Sequence, residues 1–108
     1  MGLTMTQLVG HQVICDNLAE LGALTIKYTT GRTRLWHAEC VGVEILRANG
    51  ERHGIDGTSS SADDAVTNLW NALLDIPPGD AILVRGSRND RRLVRWDDAS
   101  MEWVDVKK

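Results

Sequence analysis

Cysteine is nearly absent from this chain: Cys15 and Cys40 are the only two in 108 residues. Two thiols cannot build the disulfide framework of a small secreted domain, so a reducing compartment is expected and the apolar core must hold the fold. Long hydrophobic runs are missing too. No stretch approaches the roughly 20 apolar residues of a membrane helix. The first residues lack the charged-then-apolar pattern of a secretory leader. A soluble, cytoplasmic protein with no membrane partner is therefore expected. Phenylalanine is absent and tyrosine occurs once, against four tryptophans. The core must therefore rest on aliphatic side chains and a few large indoles, each of which needs an acceptor for its ring N–H when buried. A basic excess is also lacking. The net charge of −3 argues against a general polyanion binder. No catalytic signature, paired Cys-x-x-Cys spacing, internal repeat or linker is visible.

What is present is one strong helix signal. From Gly57-Thr58-Ser59-Ser60-Ser61 to Pro77-Pro78-Gly79, the residues Ala65, Val66, Leu69, Trp70, Leu73 and Ile76 recur at three- and four-residue steps. That spacing lays one apolar stripe along a helix over 61–75, with Ser60 or Ser61 as its cap. A second helix is predicted over 5–21. Thr4 and Gln7 fit a capping box at its start, and Gly22 fits a left-handed cap just past its end.

The remainder reads as extended chain. Leu24, Ile26 and Tyr28 alternate with Thr25, Lys27 and Thr29. Residues 34–47 form a second stretch, bent at Gly42. Asn49-Gly50 predicts a hairpin turn into a return strand over 51–56. Strands are predicted at 81–85, 91–96 and 101–106, the last two flanking Asp97-Asp98-Ala99-Ser100. If Trp96 lies opposite Met101, then Arg95 faces Glu102 and Arg92 faces Asp105, so opposite charges meet at two rungs. The expected fold is a single α+β domain over 1–108, of order α-β-β-β-α-β-β-β, with antiparallel sheet packed on helices 5–21 and 61–75.

Helix, three strands, helix is also the order of the double-stranded-RNA-binding domain, which the stretch 5–76 resembles. In that family basic residues at the second helix start hold phosphate; here Ser60-Ser61-Ala62-Asp63-Asp64 puts carboxylates there. Gly57-Thr58, Asp64-Ala65, Asn68 and Ala72-Leu73 are similar to the pattern of the N-terminal domain of HicB-type antitoxins, over about 23–76. The resemblance implies a small partner-binding module that covers a toxin. The DNA-binding C-terminal piece of that family is replaced here by a tryptophan-bearing β-meander.

Few side chains suggest chemistry. His11, Cys15, His37 and Cys40 match a zinc Cys2His2 set in type. His11 and Cys15 share a helix face, but His37 and Cys40, three apart on a strand, point to opposite faces. The bland reading is buried or edge thiols and surface imidazoles. No cofactor and no catalytic residue is predicted, and an enzyme is not expected. Asp56, Asp63 and Asp64 are read as stabilising the positive helix end.

The charge asymmetry is more informative. Residues 1–84 hold five basic and ten acidic side chains, while 85–95 holds Arg85, Arg88, Arg91, Arg92 and Arg95 against Asp90 alone. With Trp96 and Trp103 on one face of the C-terminal hairpin, these arginines form the candidate interaction surface, because Trp and Arg are enriched at binding hot spots. The expectation is a non-catalytic protein-interaction module with a protein partner or a second copy of itself. A small phage virion or accessory protein, and a nucleic-acid binder using the arginine hairpin, are the alternatives.

Overall fold

The computed structural model describes residues 5–30, 34–85 and 91–106. Two helices and eight strands follow in the order α1 (Met5–Leu21), β1 (Leu24–Thr29), β2 (Leu35–Cys40), β3 (Val43–Leu46), β4 (Arg52–Gly54), β5 (Gly57–Ser59), α2 (Ala62–Leu74), β6 (Ala81–Arg85), β7 (Arg91–Asp97) and β8 (Glu102–Asp105). The α+β architecture, with antiparallel sheet packed on two helices, agrees with the sequence expectation. The sheet is finer-grained than expected. The stretch 34–47 divides into β2 and β3, the return strand 51–56 is shortened to β4, and β5 forms at Gly57–Ser59, where no strand was expected. β1-β2-β5 form one sheet and β4-β3-β6-β7-β8 form another.

The first division lies at Val41-Gly42. Gly42 takes a φ of +78°, which an L side chain rarely adopts. The turn is fixed from both sides: Val41 N–H donates to Ala23 O at 3.0 Å, and Arg85 N–H donates to Gly42 O at 3.0 Å. Gly22 is not the left-handed cap its position suggested, since its φ is not positive. Its role is close approach: a Cβ there would collide with the carbonyl oxygen of Val41. The hairpin between β3 and β4 also differs from a two-residue turn. Arg47 N–H donates to Glu51 O, leaving the three-residue loop Ala48-Asn49-Gly50 with Gly50 at φ +91°, the other common hairpin solution.

Helix α2 begins as read. Ser61 caps it, its Oγ accepting from Asp64 N–H at 3.2 Å. Asp63 and Asp64 occupy the first turn, where negative charge meets the positive helix end. Its buried Ala65, Val66, Leu69 and Leu73 share one core with Leu18 and Leu21 of α1, Ala38 and Cys40 of β2, and Val43, Ile45, Ile82, Val84 and Val94 of the five-stranded sheet. A fully buried leucine such as Leu69 contributes about 1.5–3 kcal/mol by leaving water.

The residues Gly57, Thr58, Ala65 and Asn68 lock β5 onto α2. Gly57 lies so close to the helix that a Cβ would strike Ala65 O and Leu69 N. Asn68 Nδ2 donates to Thr58 O at 2.8 Å. After α2, Asp80 is buried and its carboxylate accepts from Ala48 N–H at 2.9 Å. Arg47 Nε stands 3.5 Å from the same carboxylate. The turn before β6 is thereby tied to the β3–β4 hairpin.

Candidate interaction surface

The five-stranded sheet has two faces, and residue parity assigns every side chain to one of them. Ile82 pairs with Val94, and Trp96 pairs with Trp103; this face turns inward to the core and helices. Glu44 pairs with Leu83, Leu83 with Leu93, Arg85 with Arg91, Leu46 with Arg52, and Arg95 with Val104. That second face turns outward, and no helix among the described residues covers it.

The candidate tryptophans lie on the inward face. Trp70 of α2, Trp96 of β7 and Trp103 of β8 form a triangle of edge-to-face rings. The centroids are 4.9 Å (Trp70–Trp96), 5.7 Å (Trp70–Trp103) and 5.1 Å (Trp96–Trp103) apart. Such pairs contribute about 0.5–1.5 kcal/mol each beyond the area they bury. Trp103 Nε1 donates to Asn17 O of α1 at 2.8 Å. The triangle thus joins both helices to the C-terminal strands. All three rings are half-buried. The indole pair is packed against the domain rather than offered outward.

The β7–β8 register differs from the expected one by two residues. Trp96 faces Trp103 and Asp97 faces Glu102, because the four-residue connection is 98–101 rather than 97–100. Met101 closes it in the left-handed region at φ +56°. Asp97 organises the turn, its carboxylate accepting from Ser100 Oγ at 2.6 Å and Ser100 N–H at 3.2 Å. The Ser100 hydroxyl holds the Asp97 carboxyl below the usual range. A two-residue slip preserves faces but changes partners. Arg95 therefore does not face Glu102. Its guanidinium donates to Asp80 O at 2.6 Å, Pro77 O at 3.1 Å and Ile76 O at 3.3 Å, capping the chain where it leaves α2. Arg92 does meet Asp105, diagonally rather than directly, at 2.9 Å.

The other arginines divide as follows. Arg85 reaches Glu44 at 3.2 Å. Arg91 stands directly across from Arg85, is exposed, and has no ion pair among the described residues. Arg88 lies outside the described residues. Arg52 comes within 4.0 Å of Glu44 and belongs to the same outward face, although its place in the sequence set it apart from the arginine run.

The aliphatic members of this face are Leu46, Leu83, Leu93, Val104 and Val106. In the sequence they stand apart, on four different strands or their ends, and only the strand pairing brings them together. One signal was present: Ala81-Ile82-Leu83-Val84 is apolar at every position, and all four residues are buried. A strand with one face in water should alternate. Leu46 and Leu93 separate two open hollows. One, of about 330 Å³, is lined by Leu46, Arg52, Leu83, Arg91 and Leu93. The other, of about 570 Å³, runs toward Ala48, Gly79, Ala81 and Val106.

Among the described residues, Cys15, His37 and Cys40 do not assemble into a metal-binding group. Cys40 is buried on the inward side of β2 and its thiol donates to Leu18 O at 3.4 Å. Burial, then the Glu39 charge, pushes its pKa up to about 11. His37 lies on the opposite face of β2, 3.5 Å from Asp56. Cys15 is half-buried on α1, its thiol raised by burial and by the charges of Asp16 and Asp63. The His11 side chain lies outside the described residues. No group of three His, Cys, Asp or Glu side chains suited to a metal ion occurs among the described residues. No described helix is long and apolar enough to cross a membrane.

No protein-family model, no curated protein and no solved structure matches this chain.

Proposed function

We propose that this protein is a non-catalytic protein-interaction module whose binding surface is the outward face of the C-terminal strands. The observation that carries this reading is the second, solvent-side apolar layer on the five-stranded sheet: over the buried Leu83, Leu46, Leu93 and Val106 are only half-buried and Val104 is exposed, and no described helix lies over them. Aliphatic side chains clustered on an open sheet face favour a protein surface as their cover. Nucleic acid fits less well. Sheet surfaces that hold single strands use aromatic rings for stacking, and this face carries none, its tryptophans being on the other side. Three of the candidate arginines, Arg85, Arg92 and Arg95, are also engaged within the chain.

A photo-crosslinking amino acid at position 104, compared with one at Asn71 on the exposed side of α2, tests the reading in an extract of the source organism. A discrete adduct is expected from position 104 only, and it should vanish when Leu93→Asp is introduced. An adduct near twice the 11.9 kDa chain mass would identify a second copy as the partner. Identical patterns from both positions, or an adduct indifferent to Leu93→Asp, would count against the assignment.

A further inference from the structure

The outward face also has a charge signature, and it narrows the chemistry of the partner. Resting on the reading above, we infer that the face receives an acidic amphipathic segment of a partner protein, with apolar side chains seated beside Leu46 and Leu93 and carboxylates over Arg52, Arg85 and Arg91. Two of the three guanidinium groups share one carboxylate, Glu44, at 3.2 Å from Arg85 and 4.0 Å from Arg52. Arg91 is left without a counter-charge among the described residues. Arg85 and Arg91 are direct cross-strand partners, a like-charge pairing that destabilises a sheet unless an anion joins it. The chain as a whole is acidic, at −3, so this local excess of positive charge runs against the average and would select a partner of opposite sign.

Two of these three arginines, Arg52 and Arg91, line the smaller hollow together with Leu46, Leu83 and Leu93. Apolar floor and cationic rim therefore belong to one depression. A guanidinium offers a planar fork that pairs with a carboxylate through two parallel hydrogen bonds. A segment that places a Leu, Ile or Met next to Asp or Glu satisfies both requirements at once. A bare polyanion supplies only the charge, and a neutral apolar helix only the floor.

The experiment is selection from a random 12-residue peptide library on the intact chain, with Leu93→Asp and the double variant Arg52→Glu/Arg91→Glu in parallel. All three are checked for folding by circular dichroism. Both arginines are exposed, so the double variant keeps the test available if Leu93→Asp does not fold. Peptides enriched on the wild type are expected to combine aliphatic residues with a clear excess of Asp and Glu. Their affinity, read by fluorescence anisotropy, should fall roughly tenfold or more on the double variant, as expected when a paired charge is reversed. The double variant should instead enrich basic peptides. Neutral or basic peptides that still require Leu93 would overturn the charge inference while leaving the interaction face standing. Peptides indifferent to Leu93 and to the arginines would overturn both. Tighter binding of a single-stranded oligonucleotide than of any selected peptide, lost on the double variant, would overturn the inference in favour of nucleic acid.

Discussion

Arg95→Met separates two accounts of the C-terminal hairpin by a difference in stability. In the observed register Arg95 holds three carbonyl oxygens, those of Ile76, Pro77 and Asp80, at 3.3, 3.1 and 2.6 Å. The contacts to Ile76 and Asp80 are partly buried, and the contact to Pro77 is exposed. A hydrogen bond with a charged donor contributes about 1.5–3 kcal/mol when its acceptor would otherwise lie unpaired away from water, and little when water can replace it. Two such acceptors would give about 3–6 kcal/mol if fully sheltered, and their partial burial reduces the expected loss to roughly 2–4 kcal/mol. Methionine preserves most of the side-chain stem, so packing loss is small. Had Arg95 instead faced Glu102 as an exposed ion pair, its removal would cost about 0.2–1 kcal/mol. The assay is urea unfolding followed by tryptophan fluorescence, with Glu102→Gln and the double variant completing a cycle. The expected result is a lowered midpoint, a melting temperature reduced by roughly 10 °C or more, and negligible coupling to Glu102. A loss below about 1 kcal/mol, or coupling to Glu102, would refute the register and the capping role together.

Other substitutions probe the remaining geometry. Gly57→Ala should unfold the domain or cost more than about 3 kcal/mol, because its Cβ meets Ala65 O and Leu69 N. Gly54→Ala, where nothing lies within 4 Å, is the control, and circular dichroism with thermal melting compares the two. Met101→Gly should stabilise by about 1 kcal/mol, since glycine occupies φ +56° without strain; an unchanged melting temperature would count against a strained loop. Cys40 should resist a thiol reagent at pH 8 until the chain unfolds. Its pKa is raised from 9.0 to about 11, so its contribution to stability is complete below pH 9 and is lost as pH rises from 9 toward 11. Cys40→Ala should flatten that part of the stability profile, and a profile identical to wild type would contradict the assignment.

The helices were legible because their signals are local. Three- and four-residue spacing and a serine cap suffice for α2, and both can be read within a dozen residues. The division of residues 34–47 into β2 and β3 depends on distant groups, Ala23 O and Arg85 N–H. Even so, the chain carried a trace of it. Trp36, Ala38 and Cys40 place the apolar side on even positions, whereas Val43 and Ile45 place it on odd ones, and such a switch requires a turn or bulge between them. The strand β5 left no such trace, because Gly57, Thr58 and Ser59 have no apolar side to follow. The hairpin register departs from the ion-pair expectation for a physical reason. Ion-pair matching at exposed rungs is worth less than packing two indoles against Trp70, so the aromatic pairing sets the register and the charges adapt.

That ranking of forces also sorts the candidate interaction residues. The run from Arg85 to Trp103 looks like one surface in sequence, but parity splits it between two environments. Trp96 and Trp103 hold the hairpin to α1 and α2, so removing either would loosen the domain and any surface it displays. Arg95 fixes the turn after α2. Arg85 and Arg91, with Arg52 from a separate strand, remain on the open face beside Leu83 and Leu93. A partner that docks there would meet side chains whose positions are set from behind by the indole triangle. Substitutions on the outward face should change binding with the fold intact, whereas substitutions in the triangle should change both together. A loss of binding in a Trp103 variant therefore carries information about the surface only when an outward residue such as Leu93 gives the same loss without a fall in stability.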